Sequence, residues 1–267
     1  MSTSLAVVIS TYNAPQMLRL VLDGYARQTD LDFSIYIADD GSGSATQHVI
    51  EAFRQQNPAM ALHHVHHEDD GFRKARIHNR VIAQTSEDYI LLTDGDCIPL
   101  PGLIAAHRRL ATNGCFVSGS RILISQALST RLQQASSSAV SPGFSNLLKW
   151  RMQGGINRLL PLLLPVYLSS PHTRLEGIRG CHFACWRADL LTVNGFDESF
   201  EGWGREDSDL AARLLHAGIR RRDMRGSPVL HLWHKEESRR RLDENDDMLR
   251  QCLKQKRIRA IKGIEEL

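Results

Sequence analysis

The triplet Asp94-Gly95-Asp96 follows a nearly apolar run, YILLT, which is typical of a buried strand. Two carboxylates on either side of a glycine at a strand end can reach one divalent cation together, and the glycine allows a bulky anion to approach the backbone. Mg²⁺ or Mn²⁺ held there would bridge the protein to a diphosphate and neutralise negative charge on it. An Asp-Gly turn with solvated acids is the alternative, and the preceding strand favours the metal site.

His231 and His234 stand on either side of a Leu-Trp pair and are the natural remaining ligands. Imidazole suits Mn²⁺ or Zn²⁺ better than Mg²⁺, so these histidines favour Mn²⁺. A histidine in an apolar strand is more often structural, and the case for ligation therefore depends on Asp94 and Asp96. The tract HHVHH, residues 63–67, looks more like a metal-binding sequence, but side chains alternate between the faces of a strand, and we expect these histidines to be solvated.

The stretch EGWGREDSDLAARLL, residues 201–215, gathers four carboxylates and two glycines around Trp203 and continues as an amphipathic helix. Acids in the first turn of a helix are stabilised by the helix dipole, which explains part of the pattern. We expect Asp209 to be such a charge, exposed or close to the helix N-terminus.

The elements that must position these groups alternate along the first half of the chain. Runs rich in β-branched residues cover residues 5–11, 33–40, 60–68 and 88–96, and runs with helical spacing cover residues 14–28, 43–57 and 72–85. This alternation predicts an α/β fold with a mostly parallel central sheet flanked by helices.

Ligands of open parallel sheets bind beyond the carboxyl ends of the strands, where this chain has polar residues. Asp39-Asp40-Gly41-Ser42 ends the second predicted strand and opens a helix. A carboxylate here can accept a hydrogen bond from the edge of a nucleobase, and the Gly-Ser pair supplies a tight turn and helix-start amides. N-capping accounts for the same residues equally well, so both interpretations stay open.

Three blocks in this half, VVISTYN, IADDGSGS and LLTDGDCIPLPG, resemble the nucleotide-sugar-binding half of the family 2 glycosyltransferases with the GT-A fold. Two further blocks resemble the animal β-1,4-galactosyltransferases and bacterial chondroitin-polymerase-type enzymes: residues 71–82, and residues 180–214 with their NGF and GWGRED motifs. The resemblance covers residues 5–121 and 177–234. It leaves out the segment between them and the C-terminal helix.

The resemblance implies an inverting, metal-dependent transfer of a hexose from a UDP-sugar to a hydroxyl of a glycan or lipid-linked glycan, of the bacterial surface polysaccharide or lipopolysaccharide type. It also implies Mn²⁺ or Mg²⁺ as the cofactor. A catalytically silent protein that binds sugar nucleotides, or serves in assembly on the same scaffold, is the alternative. Convergence of Asp96, Asp207 and one histidine on a single cleft would separate the two.

The resemblance also implies roles on the donor side of the site. Asp96 would ligate the metal, and Asp94, beside Gly95, would lie by the ribose and the metal. The remaining donor-side residues would surround the nucleoside or lie near the nucleotide: Thr11, Tyr12, Asn13, Asp39, Asp40, Arg76 and Asn79.

In the C-terminal half, the resemblance implies that Trp203 and Gly204 line the sugar and acceptor pocket, with Glu206 and Asp207 beneath it. Asp207 would be the general base on the acceptor hydroxyl. His231 or His234 would complete the metal site, with His231 preferred. Arg205 replaces the second glycine of the family's GWGGED motif, and would alter the backbone beside the base or bring a cation near a phosphate or an anionic acceptor.

Changes in composition divide the chain into four parts. We expect a nucleotide-sugar-binding half at residues 1–124, a helical insertion or lid at 125–176, an acceptor and catalytic half at 177–236 and a basic C-terminal helix at 237–267. The insertion is either a hairpin that packs on the core or a segment that meets lipid. With the basic tail, it suggests contact with the anionic inner face of the plasma membrane.

Composition excludes several other classes. The net charge is +3, and no aromatic residues alternate with the basic clusters to stack on bases, so we expect no nucleic-acid partner. The five cysteines are scattered, which predicts reduced, buried thiols and favours the cytoplasm. No window has the length of a membrane span, and the N-terminal apolar run is too short for a signal peptide.

Overall fold

The computed structural model of the chain describes residues 3–135, 143–235 and 238–266. Its strands are β1 (Leu5–Thr11), β2 (Ser34–Asp39), β3 (Leu62–His66), β4 (Tyr89–Asp94), β5 (Cys97–Ile98), β6 (Cys115–Ser118), β7 (Arg121–Leu123), β8 (Tyr167–Leu168), β9 (His182–Trp186), β10 (Arg220–Arg225) and β11 (Val229–His231). The four predicted strands of the first half are confirmed as β1 to β4. Burial explains the apolar runs of β1, β2 and β4, because parallel strands covered on both faces have no solvent side, whereas β3 lies at the sheet edge and is only partly buried.

Helices occupy most of the connections between these strands. They are α1 (Pro15–Tyr25), α2 (Ser44–Gln56), α3 (Lys74–Gln84), α4 (Leu103–Leu110), α5 (Gln126–Gln134), α6 (Phe144–Met152), α7 (Leu160–Leu163), α8 (Arg187–Thr192), α9 (Glu206–His216) and α10 (Leu242–Gln255), followed by a short 3₁₀ helix at Ile264–Glu266. Within the ranges that the structure describes, none of the helices combines the length and apolarity needed to cross a membrane.

Eight strands form one sheet in the order β3-β2-β1-β4-β9-β6-β10-β8. β1 lies in parallel between β2 and β4, whereas β9 runs antiparallel to β4 and β6. The predicted α/β class with a mostly parallel sheet is confirmed. The connection after β1 leads to β2 on one side of β1, and the connection after β3 crosses to β4 on the other side. A crevice therefore opens where β1 and β4 end, and ligands of such sheets bind in this position.

A second sheet joins the Asp-Gly-Asp segment to the C-terminal half. β11 lies between β5 and β7, and its last residue, His231, is opposite Cys97 of β5 and Leu123 of β7. The backbone N–H of Leu232 also donates to the carbonyl of Asp96 at 2.9 Å. This small sheet therefore fixes the histidine segment beside the end of β4.

The segment at 125–176 contains α5, α6, α7 and β8 in its described part. Leu128, Leu132 and Leu147 are buried in the core, whereas one side of α6 leaves Phe144 and Met152 exposed. The predicted lobe boundaries stay predictions.

The C-terminal helix differs from the expected basic one. α10 carries four acids and two basic residues, and the basic clusters lie before and after it. Several of these basic residues are bound within the fold: Arg241 pairs with Glu201, and Arg257 pairs with Asp197 and Asp209. Ion pairs therefore hold part of the tail against the fold, while other basic residues of it, such as Lys254 and Lys256, are exposed.

Candidate active site

One cleft lies at the carboxyl ends of β1 and β4 and is closed on its far side by the β11 segment. Its lining includes nine of the residues predicted for the site: Thr11, Tyr12, Asp40, Asp94, Gly95, Asp96, Trp203, His231 and His234. It also includes residues that the sequence did not single out: Ser10, Phe72, Lys74, Arg121, Trp233 and Arg239. Residues separated by more than two hundred positions thus share one concave surface.

Asp96, His231 and His234 have ligand atoms within 4.8 Å of one another. The Asp96 Oδ2 atom lies 3.0 Å from Nε2 of His234 and 3.6 Å from Nε2 of His231. One carboxylate and two imidazoles form a donor set suited to Mn²⁺ or Zn²⁺. The residues therefore fit a divalent cation, and both histidines are within reach of it.

Asp94 ends β4 beside the end of β1. Its Oδ1 atom accepts hydrogen bonds from the Lys74 ammonium at 2.7 Å and from the Ser10 hydroxyl at 2.9 Å. Burial alone would raise the pKa of Asp94, but these two donors outweigh it and hold the pKa at about 2. Asp94 is therefore an anion over the whole physiological pH range.

Gly95 lies against the end of β1. A Cβ atom on Gly95 would come within 3.0 Å of the Ser10 carbonyl oxygen and 3.2 Å of the Thr11 hydroxyl oxygen, and the Gly95 N–H donates to that carbonyl at 2.7 Å. This close approach between β4 and β1 accounts for the glycine without any ligand.

Lys74, at the start of α3, is a charged member of the site that sequence reasoning missed. Burial disfavours its ammonium form, but attraction by Asp94, Glu206 and Asp207 outweighs this and raises its pKa. Lys74 thus connects the β4 end to the first turn of α9. Its place in the resembling block GFRKARIHNRVI was the available signal, and nothing in its spacing indicated a carboxylate partner.

Glu206 and Asp207 occupy the first turn of α9 and reach the cleft through Lys74, since neither lines it directly. Glu206 is only 8% exposed, and its Oε2 atom has no hydrogen-bond partner among the described residues. Burial, and then the neighbouring Asp207 carboxylate, raise the pKa of Glu206 to about 7. The Asp207 Oδ2 atom accepts a hydrogen bond from the backbone N–H of Gly180 at 2.8 Å, which fixes the direction of that carboxylate.

Asp209 was expected to be exposed or a helix N-terminal charge, and the expectation of exposure is wrong. Its side chain is fully buried and pairs with Nε of Arg213 at 2.7 Å and with a terminal guanidinium nitrogen of Arg257 at 3.2 Å. One turn of helix separates Asp209 from Arg213, which places both side chains on the same buried face of α9.

Arg205 precedes α9 with a left-handed backbone, φ 78°, at the position where the resembling motif has glycine. Its guanidinium pairs with Asp246 of α10. The substitution therefore keeps the glycine-like backbone, and its cation is directed to the C-terminal helix and not to the cleft.

The acids that end β2 are held by histidines of the HHVHH tract. Asp39 Oδ2 lies 2.8 Å from Nε2 of His64, and Asp40 Oδ1 lies 2.7 Å from Nε2 of His67. The expectation that the tract is solvated is therefore wrong for these two histidines. Burial raises the pKa of Asp40, whereas at Asp39 the bonds from His64 and Ser42 outweigh burial and lower its pKa. Of the two acids, Asp40 lines the cleft.

The residues after β1 approach the same region. The Tyr12 hydroxyl donates to Asp69 at 2.8 Å, and its ring is 49% exposed at the cleft. Asn13 has a left-handed backbone, and its Oδ1 atom accepts from the Gly43 N–H at 3.0 Å. Asn13 thus fastens the β1 end to the start of α2, while Tyr12 offers a ring to a ligand.

Asn79 does not line the cleft, and its predicted place near the nucleotide stays a prediction. Its amide is fully buried, donates to the Phe196 carbonyl at 2.9 Å and accepts from the Phe196 N–H at 2.8 Å. A Cβ atom on Gly195 would come within 2.4 Å of this amide, which explains the glycine of the NGF motif. Arg76 does not line the cleft either, and its role stays a prediction.

Trp203 reaches the cleft from the loop before α9, whereas Gly204, beside it in that loop, does not line the cleft. The Trp203 ring is 40% exposed and carries the Arg239 guanidinium 5.3 Å from its centroid. Gly204 has φ 108°, and its carbonyl accepts from the Asn245 amide at 2.9 Å. The loop is therefore braced by α10 and presents an indole face to the cleft.

Comparison with known proteins agrees with this fold. A family model described as glycosyl transferase family 2 matches residues 6–160, more than half of the chain, and one described as the N-terminal domain of galactosyltransferase matches residues 162–235. The chain belongs to glycosyl transferase family 2. The second match confirms the resemblance of the C-terminal half.

Validoxylamine A glucosyltransferase from Streptomyces hygroscopicus subsp. jinggangensis is 28% identical over 232 residues, which cover 80% of this chain and 52% of that protein. The chain thus spans about half the length of that relative. The S. aureus TarS 1-349 structure in complex with UDP has a TM-score of 0.65 at 12% identity and covers 98% of this chain and 68% of that one.

The mannosyltransferase PcManGT from Pyrobaculum calidifontis, in complex with GDP-Man and Mn²⁺, has a TM-score of 0.60 at 18% identity and covers 88% of this chain and 59% of that one. At these identities, the two solved structures support the fold alone.

Proposed function

We propose that this protein transfers a hexose from a UDP-sugar to a hydroxyl of a glycan or lipid-linked glycan, with inversion at the anomeric carbon and with Mn²⁺ as the favoured cofactor. The convergence of Asp96, His231 and His234 on a cleft that also holds Asp40, Asp94 and Trp203 carries this proposal. Asp96 and the two histidines converge on this cleft, whereas Asp207 does not line it, so the turnover of an Asp207→Asn variant is the measurement that separates an enzyme from a silent scaffold.

The donor would lie along the carboxyl ends of β1 and β4. Asp40 faces the cleft and would accept from the nucleobase, with His67 and the Arg73 N–H holding its carboxylate in place. Asp96 and one or both histidines would hold the cation, whose contribution is to neutralise the diphosphate as it leaves. The two solved structures of similar fold hold UDP, or GDP-Man with Mn²⁺, and a nucleoside diphosphate donor is consistent with that fold.

The acceptor would lie between Trp203 and the start of α9. Asp207, oriented by the Gly180 N–H, would take the proton of the attacking hydroxyl while the diphosphate departs from the opposite face of the sugar. Glu206, with its unpartnered oxygen and a pKa of about 7, would exist partly in the protonated form at neutral pH and donate a hydrogen bond to a substrate hydroxyl.

Lys74 lies near two groups of carboxylates, Asp94 at the end of β4 and the Glu206–Asp207 pair at the start of α9. In the absence of donor it holds Asp94, and its charge also opposes the crowding of Glu206 and Asp207. We expect its ammonium to keep these three acids ionised or hydrogen bonded in one arrangement, which is preorganisation rather than proton transfer.

A thermal shift measurement tests the binding part of the proposal. UDP with Mn²⁺ should raise the melting temperature, and EDTA should remove the increase. Asp96→Asn should abolish the Mn²⁺-dependent increase, whereas His66→Gln, a change at an exposed histidine of β3, should leave it intact. A screen of nucleotide sugars for Mn²⁺-dependent hydrolysis then identifies the donor, and no response to any of them would contradict the proposal.

We also propose that the insertion contacts an anionic membrane. Phe144, Leu148 and Met152 recur every four residues along α6 with 55%, 43% and 82% exposure, beside Lys149 and Arg151. An exposed apolar stripe with flanking cations matches a lipid interface. Sedimentation with phosphatidylglycerol vesicles should fall for Met152→Ser and stay unchanged for Met60→Ser, and equal sedimentation of both would exclude the stripe.

A further inference from the structure

The sequence between Asp96 and Glu176 contains eight Lys and Arg residues and no Asp or Glu. Part of this positive segment forms the cleft wall at β7 and the insertion that follows it. Acids are plentiful elsewhere in the chain, so the cations of this segment must find their counter-charges on other segments or go without them. This imbalance directs attention to the individual arginines near the cleft.

Three arginines lie near one edge of the cleft, which Arg121 lines directly. Arg121 lines the cleft and places a guanidinium nitrogen 3.9 Å from the Cys181 sulfur. Arg158 donates to the backbone carbonyl of Arg121 at 2.6 Å. Arg179 precedes Cys181 by two residues, and burial together with repulsion from Arg121 and Arg158 lowers its pKa. The three side chains therefore lie near one another, with Arg158 the most exposed of them.

This group lacks carboxylate partners within residues 3–135, 143–235 and 238–266. No ion pair joins Arg121, Arg158 or Arg179 to an acid there, although the adjacent Arg221 pairs with Asp223 at 2.8 Å. The Nε atom of Arg121 is buried and has no hydrogen-bond partner among those residues. A buried donor of this kind is uncommon in proteins, because an unmade hydrogen bond is costly.

The group is also joined to the reacting end of the site. Gly180 follows Arg179, and its N–H donates to Asp207 at 2.8 Å. A Cβ atom on Gly180 would come within 3.2 Å of the same carboxylate, so the segment passes directly over the candidate base. On its other side, Arg121 shares the cleft with Asp96 and His231. Arg121 therefore lies in the cleft with the metal ligands, Arg158 is bonded to its backbone, and Arg179 belongs to the segment that binds Asp207.

We propose that Arg121, Arg158 and Arg179 form a subsite for an anionic group, a carboxylate or a phosphate, carried by the saccharide that reacts in this cleft. The planar guanidinium fork matches such groups with two parallel hydrogen bonds, and the low polarity of a partly buried edge strengthens them. The inference rests on the proposed function and narrows it, because it makes an acidic sugar the substrate. The charge belongs either to the donor sugar or to the acceptor.

Binding of small glycosides tests the subsite directly. With UDP and Mn²⁺ present, the protein should bind methyl β-D-glucuronide or glucose 6-phosphate more tightly than methyl β-D-glucoside, in titrations followed by calorimetry or NMR. Loss of a charge-assisted pair weakens binding by about 10- to 100-fold. Arg179→Gln should therefore remove most of the preference for the charged glycosides, and Arg158→Gln, at an exposed residue, should reduce it in a variant that keeps the fold.

Arg151→Gln is the matched control, because it removes one exposed arginine of the same segment outside the cluster and should leave the preference unchanged. Equal affinities for charged and neutral glycosides in the wild-type protein would overturn the proposal. So would a loss of UDP affinity in Arg179→Gln as large as the loss of glucuronide affinity, because the arginines would then serve the diphosphate.

Hydrolysis of UDP-glucuronic acid and UDP-glucose separates the two sources of charge. Faster turnover of UDP-glucuronic acid that Arg179→Gln abolishes places the anion on the donor, and equal turnover of the two donors with a retained glucuronide preference places it on the acceptor. Failure of the proposed function would be visible separately, as absence of UDP and Mn²⁺ binding by the wild-type protein.

Discussion

The arginines of the C-terminal segment and those at the cleft edge have opposite surroundings. Three arginines near α10 each pair with a carboxylate: Arg241 with Glu201, Arg257 with Asp209, and Arg259 with Glu265. The cleft-edge arginines 121, 158 and 179 instead lie beside one another. The paired arginines near α10 stabilise the fold, whereas the cleft-edge arginines repel one another, and a bound anion would relieve this repulsion.

The same contrast divides the acids of α9. Asp209 is buried between Arg213 and Arg257, whereas Glu206 has an oxygen without a partner and a raised pKa. Within one turn of α9, Glu206 and Asp207, which lie beside Lys74 of the cleft, are thus followed by Asp209, which is paired inside the fold. Perturbed and unpaired groups concentrate at functional sites, and this difference marks where the site ends.

The largest expected effect is a loss of turnover when Asp207, at the start of α9, is neutralised. Asp207→Asn should lower kcat by about 10²- to 10⁴-fold, because the acceptor hydroxyl loses its general base. The urea midpoint should change little, since the Gly180 N–H can still donate to the amide oxygen. Steady-state kinetics with the donor found in the hydrolysis screen measures the effect, and an unchanged kcat would remove Asp207 as the base.

The paired set should respond in stability. Arg213→Met leaves Asp209 buried beside Arg257 alone and also removes donors to the Val193 and Gly195 carbonyls, so unfolding free energy should fall by about 3–5 kcal/mol. Urea unfolding measures this, with Arg151→Met as the exposed control that should stay within about 0.5 kcal/mol. A loss as small as that of the control would erase the distinction between the two sets.

Glu206 should make stability depend on pH. Its folded pKa of about 7 exceeds the usual value of 4.5, so the folded state is destabilised progressively as pH rises from 4.5 through 7. Glu206→Gln should therefore stabilise the protein by up to about 3 kcal/mol at pH 8 and have little effect at pH 4. Denaturant titrations at both pH values test this, with Glu68→Gln as the exposed control.

The activity of Glu206→Gln sharpens its role. If the protonated form donates a hydrogen bond, kcat/KM of the wild-type protein should decline above pH 7, and the glutamine variant should show a flatter profile because its amide still donates. A wild-type profile that instead rises through pH 7 and is lost in the variant would make Glu206 the base.

The smallest effect is expected at Arg205, which belongs to the paired set. Arg205→Gly relieves a left-handed backbone, worth about 1 kcal/mol, and loses a partly exposed ion pair with Asp246, worth about 0–1 kcal/mol. Net stability should therefore change by less than about 1 kcal/mol. Acceptor affinity should be unchanged, and a marked loss of it would return Arg205 to the site.

Much of the sheet and part of the site could be read from the chain. The apolar runs of β1, β2 and β4 and the helical spacing of α1 to α3 predicted the parallel half, because burial on both faces of a strand leaves a local pattern. Asp94 and Asp96 were recognised because they follow such a run. Asn79, in contrast, matched a family position but is bonded to Phe196, a contact across 117 residues that no local pattern reports.

The sequence by itself determined which chemistry was available: strand-end acids, two histidines three residues apart and acids at the start of a helix. Local periodicity is enough for this, because the buried face of a strand or helix appears as a regular spacing of apolar residues along the sequence. Tertiary structure alone decided which charges are neutralised. His64 and His67 pair with Asp39 and Asp40, and Arg213 pairs with Asp209. Arg121 and Arg179 instead lie near each other, without an acid partner among the described residues. Electrostatic balance depends on distances between remote segments, and only the folded chain sets those distances.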